Sequence, residues 1–227
     1  MRLISGIRII LGFILTKVIT FASSKGGTGK STLCVNLAAF FAKCGKRVTV
    51  LDVDPQKSSY DWIIESSDEY LSLISAIHLT EETQIESVIA NTDSDIVCID
   101  LQGSLNSSPL FALAIADVIL VPCRPSRDDI IGLGWILKLH EMASEKFPTS
   151  DAKVIAILNA VNARSIIYLH AKQQIEADNI TLISNPITQT VAFAEANINR
   201  VSVFELDGKA KNLIHNVGSE LSEHLFQ

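Results

Sequence analysis

The sequence predicts an α/β fold, a mostly parallel sheet flanked by helices, in a single domain spanning residues 17–227. Three observations carry that expectation. From residue 18 onward, short β-rich runs alternate with helical patterns, the rhythm of βαβ units. Several of those runs are apolar on both faces, as strands covered by helices on both sides must be. The chain has 227 residues, 48% hydrophobic and 19% charged, which is ample for one such domain with a full core and scarcely enough for two. No repeat, low-complexity block or Pro/Gly-rich linker divides it.

Residues 3–15 read LISGIRIILGFIL, an apolar run broken by Arg8 and shorter than the ~20 residues a membrane-spanning helix needs. With Arg2 ahead of it, the run has the look of a signal-peptide core, but it lacks a small-x-small cleavage site and would export everything that follows. The reading adopted is an apolar extension, residues 1–16, ahead of a cytoplasmic domain, with translation starting near Leu15. The expected strands are 18–22 (VITFA), 47–51 (RVTVL), 96–101 (IVCIDL), 118–122 (VILVP) and 154–158 (VIAIL), with 180–183 (ITLI) a weaker sixth. Helical patterns occupy 31–44, 58–65, 81–90, 107–116, 128–146, 165–177 and 209–226, so each crossover carries a helix. In the last of these, Leu213, Ile214, Val217, Leu221 and Leu225 form one stripe, and Glu220 and Glu223 face elsewhere. Such a stripe packs on protein; a lipid-surface helix wants Lys or Arg on its polar side.

Nineteen Lys and Arg against twenty-five Asp and Glu give a net charge of −6. A histone-like or ribosomal role is thereby excluded, and any nucleic-acid contact must come from a local basic patch. Cys34, Cys44, Cys98 and Cys123 form no CxxC pair and no Cys/His metal spacing, the usage of reduced thiols in a cytosolic protein.

The segment Ser24-Lys25-Gly26-Gly27-Thr28-Gly29-Lys30-Ser31-Thr32 follows the first strand and precedes an amphipathic helix. A polyphosphate needs several backbone N–H donors converging on one anion. Glycines let the chain turn tightly and come close, and the helix N-terminus adds its dipole. In that arrangement Lys30 reaches the β- and γ-phosphate oxygens, Ser31 ligates Mg²⁺ and Thr32 lies near the α-phosphate. Asp52-Val53-Asp54-Pro55-Gln56 ends the second strand with two carboxylates two residues apart, which puts both side chains on one face of an extended chain. Asp100 ends an apolar strand in the Walker B manner and is expected to hold Mg²⁺ directly or through water. Both acids lie at the carboxyl edge of the sheet, where open α/β folds bind ligands.

KGGTGKST, with the extra Lys25 heading the loop, resembles the deviant Walker A motif of the ParA/MinD ATPases, a branch of the P-loop NTPase fold. The DxDPQ run and the Pro-x-x-Pro-Ser stretch at 122–128 are similar to further motifs of that family, as is the Ala-Phe-Ala-Glu-Ala run at 192–196. The resemblance covers residues 17–227 and is strongest over 23–62. It implies an ATP- and Mg²⁺-dependent molecular switch that acts in plasmid or chromosome partition and hydrolyses ATP slowly. Lys25 would reach across a nucleotide-sandwiched homodimer to the partner subunit's phosphates. Asp54 would orient the attacking water and Asp52 would support the metal shell. Asn159 would contact the adenine ring, although a turn-forming Asn is the plainer reading. The phosphate-binding set is then Gly26, Gly27, Thr28, Gly29, Lys30, Ser31 and Thr32. Family members bind nonspecific DNA as ATP dimers and answer to a ParB-like or small DNA-binding partner. Arg200, Lys209 and Lys211 are candidates for a DNA-facing patch, against the plainer reading of a solvated helix face. Ser126 reads most simply as a helix N-cap. The chain departs from the pattern after Asp100, where Gln102 stands in place of a proline. Gly103 still suits a backbone approaching the γ-phosphate. The alternative function is an ATP-gated device that positions a protein cargo with little DNA binding. An iron–sulfur role lacks cysteine ligands, and no guanine-specific Asn/Thr-Lys-x-Asp motif follows the later strands.

Overall fold

The computed structural model describes residues 16–103, 109–148 and 150–226. The expected extension, apart from Thr16, lies outside the described residues. Seven strands form one sheet: β1 Lys17–Phe21, β2 Val48–Asp52, β3 Ser75–His78, β4 Ile96–Asp100, β5 Val118–Cys123, β6 Lys153–Leu158 and β7 Thr181–Leu182. Their order is β3-β2-β4-β1-β5-β6-β7, and every pairing is parallel. The first strand is therefore central. In register, Phe21 and Asp52 both stand beside Asp100, which aligns the ends of β1, β2 and β4 on one edge.

The two faces of the sheet bury separate apolar clusters. On one face, α1 (Lys30–Lys43), α2 (Ser58–Ile64), α7 (Ala192–Asn199) and α8 (Ala210–Phe226) cover Ile19, Phe21, Val50 and Cys98. On the other, α3 (Ile85–Ala90), α4 (Leu110–Ala114), α5 (Arg127–Lys146) and α6 (Ile166–Ala177) cover Val18, Val97, Ile99 and Ile119. Alternate residues of one strand thus feed opposite layers, which is why β4 is apolar from Ile96 to Ile99. Ile214, Val217, Leu221 and Leu225 of α8 are buried, and Leu213 packs beside them, as the stripe required. Ser126 accepts a hydrogen bond from the Asp129 N–H and caps α5, and Ser165 caps α6 in the same way.

Four expectations change. Strand β3 is absent from the sequence reading because SAIH is a four-residue, half-exposed edge strand with no apolar run to announce it. The weak strand at 180–183 shrinks to two residues. The helix expected over 81–90 divides into a 3-10 turn at Glu82–Gln84 and α3. The helix expected at 107–116 is α4 from Leu110, with 104–108 outside the described residues. No helix among the described residues is long and apolar enough to cross a membrane.

Candidate phosphate-binding site

The loop between β1 and α1 runs over the carboxyl edge of the sheet at its centre. Gly29 ends it in a left-handed conformation, φ 92°, at the position that caps α1. A side chain there would be strained and would run into the Asn159 amide. Lys30 opens the helix and is almost fully buried, with its Nζ 2.7 Å from Asp100 Oδ1. Asp100 is wholly buried, and its Oδ2 has no hydrogen-bond partner among the described residues. Ser31 and Thr32 follow in the first turn, both partly exposed. The loop, Lys30, Ser31 and Asp100 are thus gathered at one point.

Gly103 closes the site from the β4 side. A Cβ at this position would lie 2.9 Å from the Lys25 carbonyl oxygen and 3.1 Å from Gly26 backbone atoms, so only glycine lets the segment after β4 lie on the loop. A buried carboxylate oxygen left without a partner, at the foot of the helix whose first turn carries the Ser31 hydroxyl, suits a hard cation that takes few protein ligands and keeps waters. The donor set therefore fits Mg²⁺ with Ser31 and Asp100 as its protein neighbours.

The two acids of the DxDPQ run separate. Strand β2 ends at Asp52, and the chain turns at Asp54, so they do not share one extended face. Asp52 is fully buried, and its carboxylate accepts from the Asp54 N–H (2.9 Å), the Ser59 N–H (2.9 Å), the Ser59 hydroxyl (2.9 Å) and the Tyr60 N–H (3.0 Å). Its lone pairs are thereby committed to fixing the turn and the start of α2. In this structure Asp52, expected in the metal shell, holds the turn and the start of α2 through these bonds. Burial pushes the Asp52 carboxyl above its ordinary range, and the like charge of Asp100 pushes the same way. Asp54 is partly exposed, and its Oδ1 accepts from the nearby Gln56 N–H.

Asn159, expected at the base, fastens the loop in this structure. Its Nδ2 donates to the Thr28 carbonyl at 2.6 Å, and its backbone N–H donates to the Cys123 carbonyl. It also lines a cleft of about 300 Å³ together with Gly27, Thr28, Gly29, Thr32, Arg124 and Gln189. Lys25 lies on the rim, 45% exposed, with its Nζ 3.0 Å from Asp128 Oδ2 and 3.9 Å from Asp129 Oδ1. Arg124 is the residue that sequence reasoning missed: its guanidinium donates to the Gly27 carbonyl. Its only signal was a cation directly after a buried strand. The DNA-facing candidates are less free than expected. Arg200 pairs with Glu65 at 2.9 Å and Lys211 with Asp207 at 4.0 Å.

The profile of the CobQ/CobB/MinD/ParA nucleotide binding domain matches residues 19–203, most of the chain and all of the site just described. The chain belongs to this family. It is 26% identical over 204 residues to the maintenance of carboxysome distribution protein A of Halothiobacillus neapolitanus, covering 89% of this chain and 93% of that protein. It is 31% identical over 180 residues to protein ParA of Rhizobium radiobacter, covering 78% and 80%. Among solved structures, a variant of Cyanothece McdA in complex with ATP superposes with a TM-score of 0.73 at 17% identity, over 93% of this chain and 98% of that one. The seven-stranded parallel sheet is thus the fold of the ParA/MinD P-loop proteins.

Proposed function

We propose that this chain is an ATP-dependent dimerising ATPase that serves as a switch in the partition of DNA or the positioning of a cargo. The observation that carries the reading is the placing of the two lysines of one loop. Lys30 points inward to Asp100, whereas Lys25 points outward to the acidic start of α5. A cation turned away from its own phosphate site is available to a neighbour's, which makes the nucleotide part of the contact between two subunits. Ile131 and Trp135, half-exposed on α5 one and two turns beyond Asp128, extend that rim as apolar surface.

In this reading the backbone of Gly26, Gly27, Thr28 and Gly29, with Lys30, Ser31 and Thr32, binds the phosphates of ATP. Ser31 and Asp100 hold Mg²⁺, which when bound offsets charge on the phosphate oxygens. Lys30 exchanges Asp100 for phosphate oxygens as its counter-charge. Asp54, whose carboxylate has few competing partners, orients the attacking water, and Asp52 keeps the turn that carries it in place. Hydrolysis is slow and stimulated by a partner of the ParB-like or small DNA-binding kind.

Size measurement by light scattering with ATPγS and with ADP tests the dimer. A dimer with ATPγS only, lost in Lys25→Ala, is expected; a monomer under saturating ATPγS overturns the reading. A second reading, cargo positioning with little DNA binding, is favoured by the long match to the carboxysome-distribution protein and by the paired state of Arg200 and Lys211. Cosedimentation with nonspecific DNA separates the two: retention with ATP but not ADP supports partition, and indifference to DNA supports positioning.

A further inference from the structure

Three cations approach the glycine loop, and two are already neutralised, Lys30 by Asp100 and Lys25 by Asp128. Arg124 is the third. It stands immediately after β5, where its backbone N–H donates to Asp129 Oδ2 at 2.9 Å and its carbonyl accepts from the Ser126 N–H at 2.7 Å. Its side chain therefore leaves from a fixed base. The guanidinium crosses to the loop, donates to the Gly27 carbonyl, and has no carboxylate within ion-pair distance among the described residues.

A guanidinium carries five N–H donors in a rigid planar fork that matches phosphate oxygens, and it keeps its charge at any physiological pH. One neutral carbonyl leaves most of those donors and the whole charge uncompensated. Asp100 and Asp128 spend their charge on Lys30 and Lys25, so among these three cations Arg124 is the one whose charge is left to meet a bound polyphosphate. Arg124 lies on the cleft side of the loop, with Thr28, Gly29 and Thr32, whereas Lys30 is turned to the floor. In the nucleotide-binding reading above, Thr32 on that side lies near the α-phosphate.

Resting on the nucleotide-binding reading above, we propose that Arg124 is a phosphate ligand within its own subunit, binding the α/β-phosphate portion that ADP and ATP share. It selects for a diphosphate or longer against the bare nucleoside. The side chain is exposed, so its replacement leaves the fold intact.

Calorimetric titration of the full chain with ADP and with ATPγS, in the presence of Mg²⁺, tests this on wild type, R124Q and R124K, with adenosine as a competitor. R124Q keeps a polar side chain and loses the charge. It is expected to weaken ADP and ATPγS alike by about tenfold, to leave adenosine competition unchanged, and to melt at the wild-type temperature without nucleotide. R124K is expected to recover part of the loss. Wild-type affinity for ADP in R124Q, a loss confined to ATPγS, or an equal loss for adenosine each overturns the proposal. A wild-type chain that binds neither nucleotide overturns the reading beneath it, and so is told apart from failure at Arg124 alone.

Discussion

The floor and the rim of one glycine loop hold the same chemical pair, a lysine and an aspartate, in opposite surroundings. Lys30 and Asp100 meet at 2.7 Å with 6% and 0% of their side chains exposed; Lys25 and Asp128 meet at 3.0 Å with 45% and 74% exposed. Out of water, each charge of the first pair depends on the other, and losing one leaves the other stranded. At the rim, solvent screens the second pair, and two long side chains lose entropy to hold it. The floor pair is thus part of the architecture, ready to exchange one anion for another. The rim pair is easily released.

The comparison breaks most readily at Lys30. Lys30→Ala should lower unfolding free energy by about 3–5 kcal/mol, because Asp100 is left buried without a cation. Urea denaturation will measure this, and the double variant Lys30→Ala/Asp100→Asn should regain most of the loss. A full-sized loss in the double variant would mean that the lysine's packing, not the charge, matters. Next comes the support of the floor. Asp52→Ala strips acceptors from three backbone N–H groups and is expected to cost about 2–3 kcal/mol, checked by the same denaturation.

The Arg47–Asp95 pair, 2.9 Å apart, sharpens the contrast through pH. The Arg47 guanidinium and backbone N–H hold the Asp95 carboxyl below its ordinary range. Its folded pKa is lower than its unfolded one, so the stabilisation is present above the ordinary carboxylate range and is lost as pH falls through the folded value. Asp95→Asn should therefore flatten the acid limb of the stability profile and lower stability at neutral pH. The smallest effect belongs to the rim: Lys25→Ala should shift unfolding by no more than about 0.5 kcal/mol while removing ATP-dependent association.

These positions also show what a sequence can reveal. Lys30, Gly29 and Asp100 were legible because strand, loop and helix follow one another directly and β4 ends in an acid beside β1. The same local logic found both layers of the sandwich and the α8 stripe. Strand β3 was not legible, since its pairing with β2 is tertiary and its own residues carry no alternation. Asp52 was misread because a two-residue spacing fixes a shared face only while the chain stays extended, and this one turns at Asp54. The bond from Asn159 to Thr28 spans 131 residues and that from Arg124 to Gly27 spans 97. Side chains at that separation are brought together by the order of strands in the sheet, which periodicity does not encode.

Helix α2 is moored at both ends. Its first turn hangs from Asp52. Its other end is tied to the 200–201 segment, where the Trp62 indole N–H donates to the Val201 carbonyl at 3.2 Å and Arg200 donates to Glu65 at 2.9 Å. To tilt this helix, the protein would have to give up all of these contacts together and drag the fully buried Trp62 ring out of its bed. The bend at 53–57 is held by shorter ties of its own, the Val53 N–H to the Asp100 carbonyl at 3.0 Å and the Lys57 N–H to the Asp54 carbonyl at 2.9 Å, with Lys57 in the left-handed region at φ 54°. Any rearrangement that reaches Asp54 is therefore confined to a bend of five residues strung between two anchors, more a plucked string than a swinging arm.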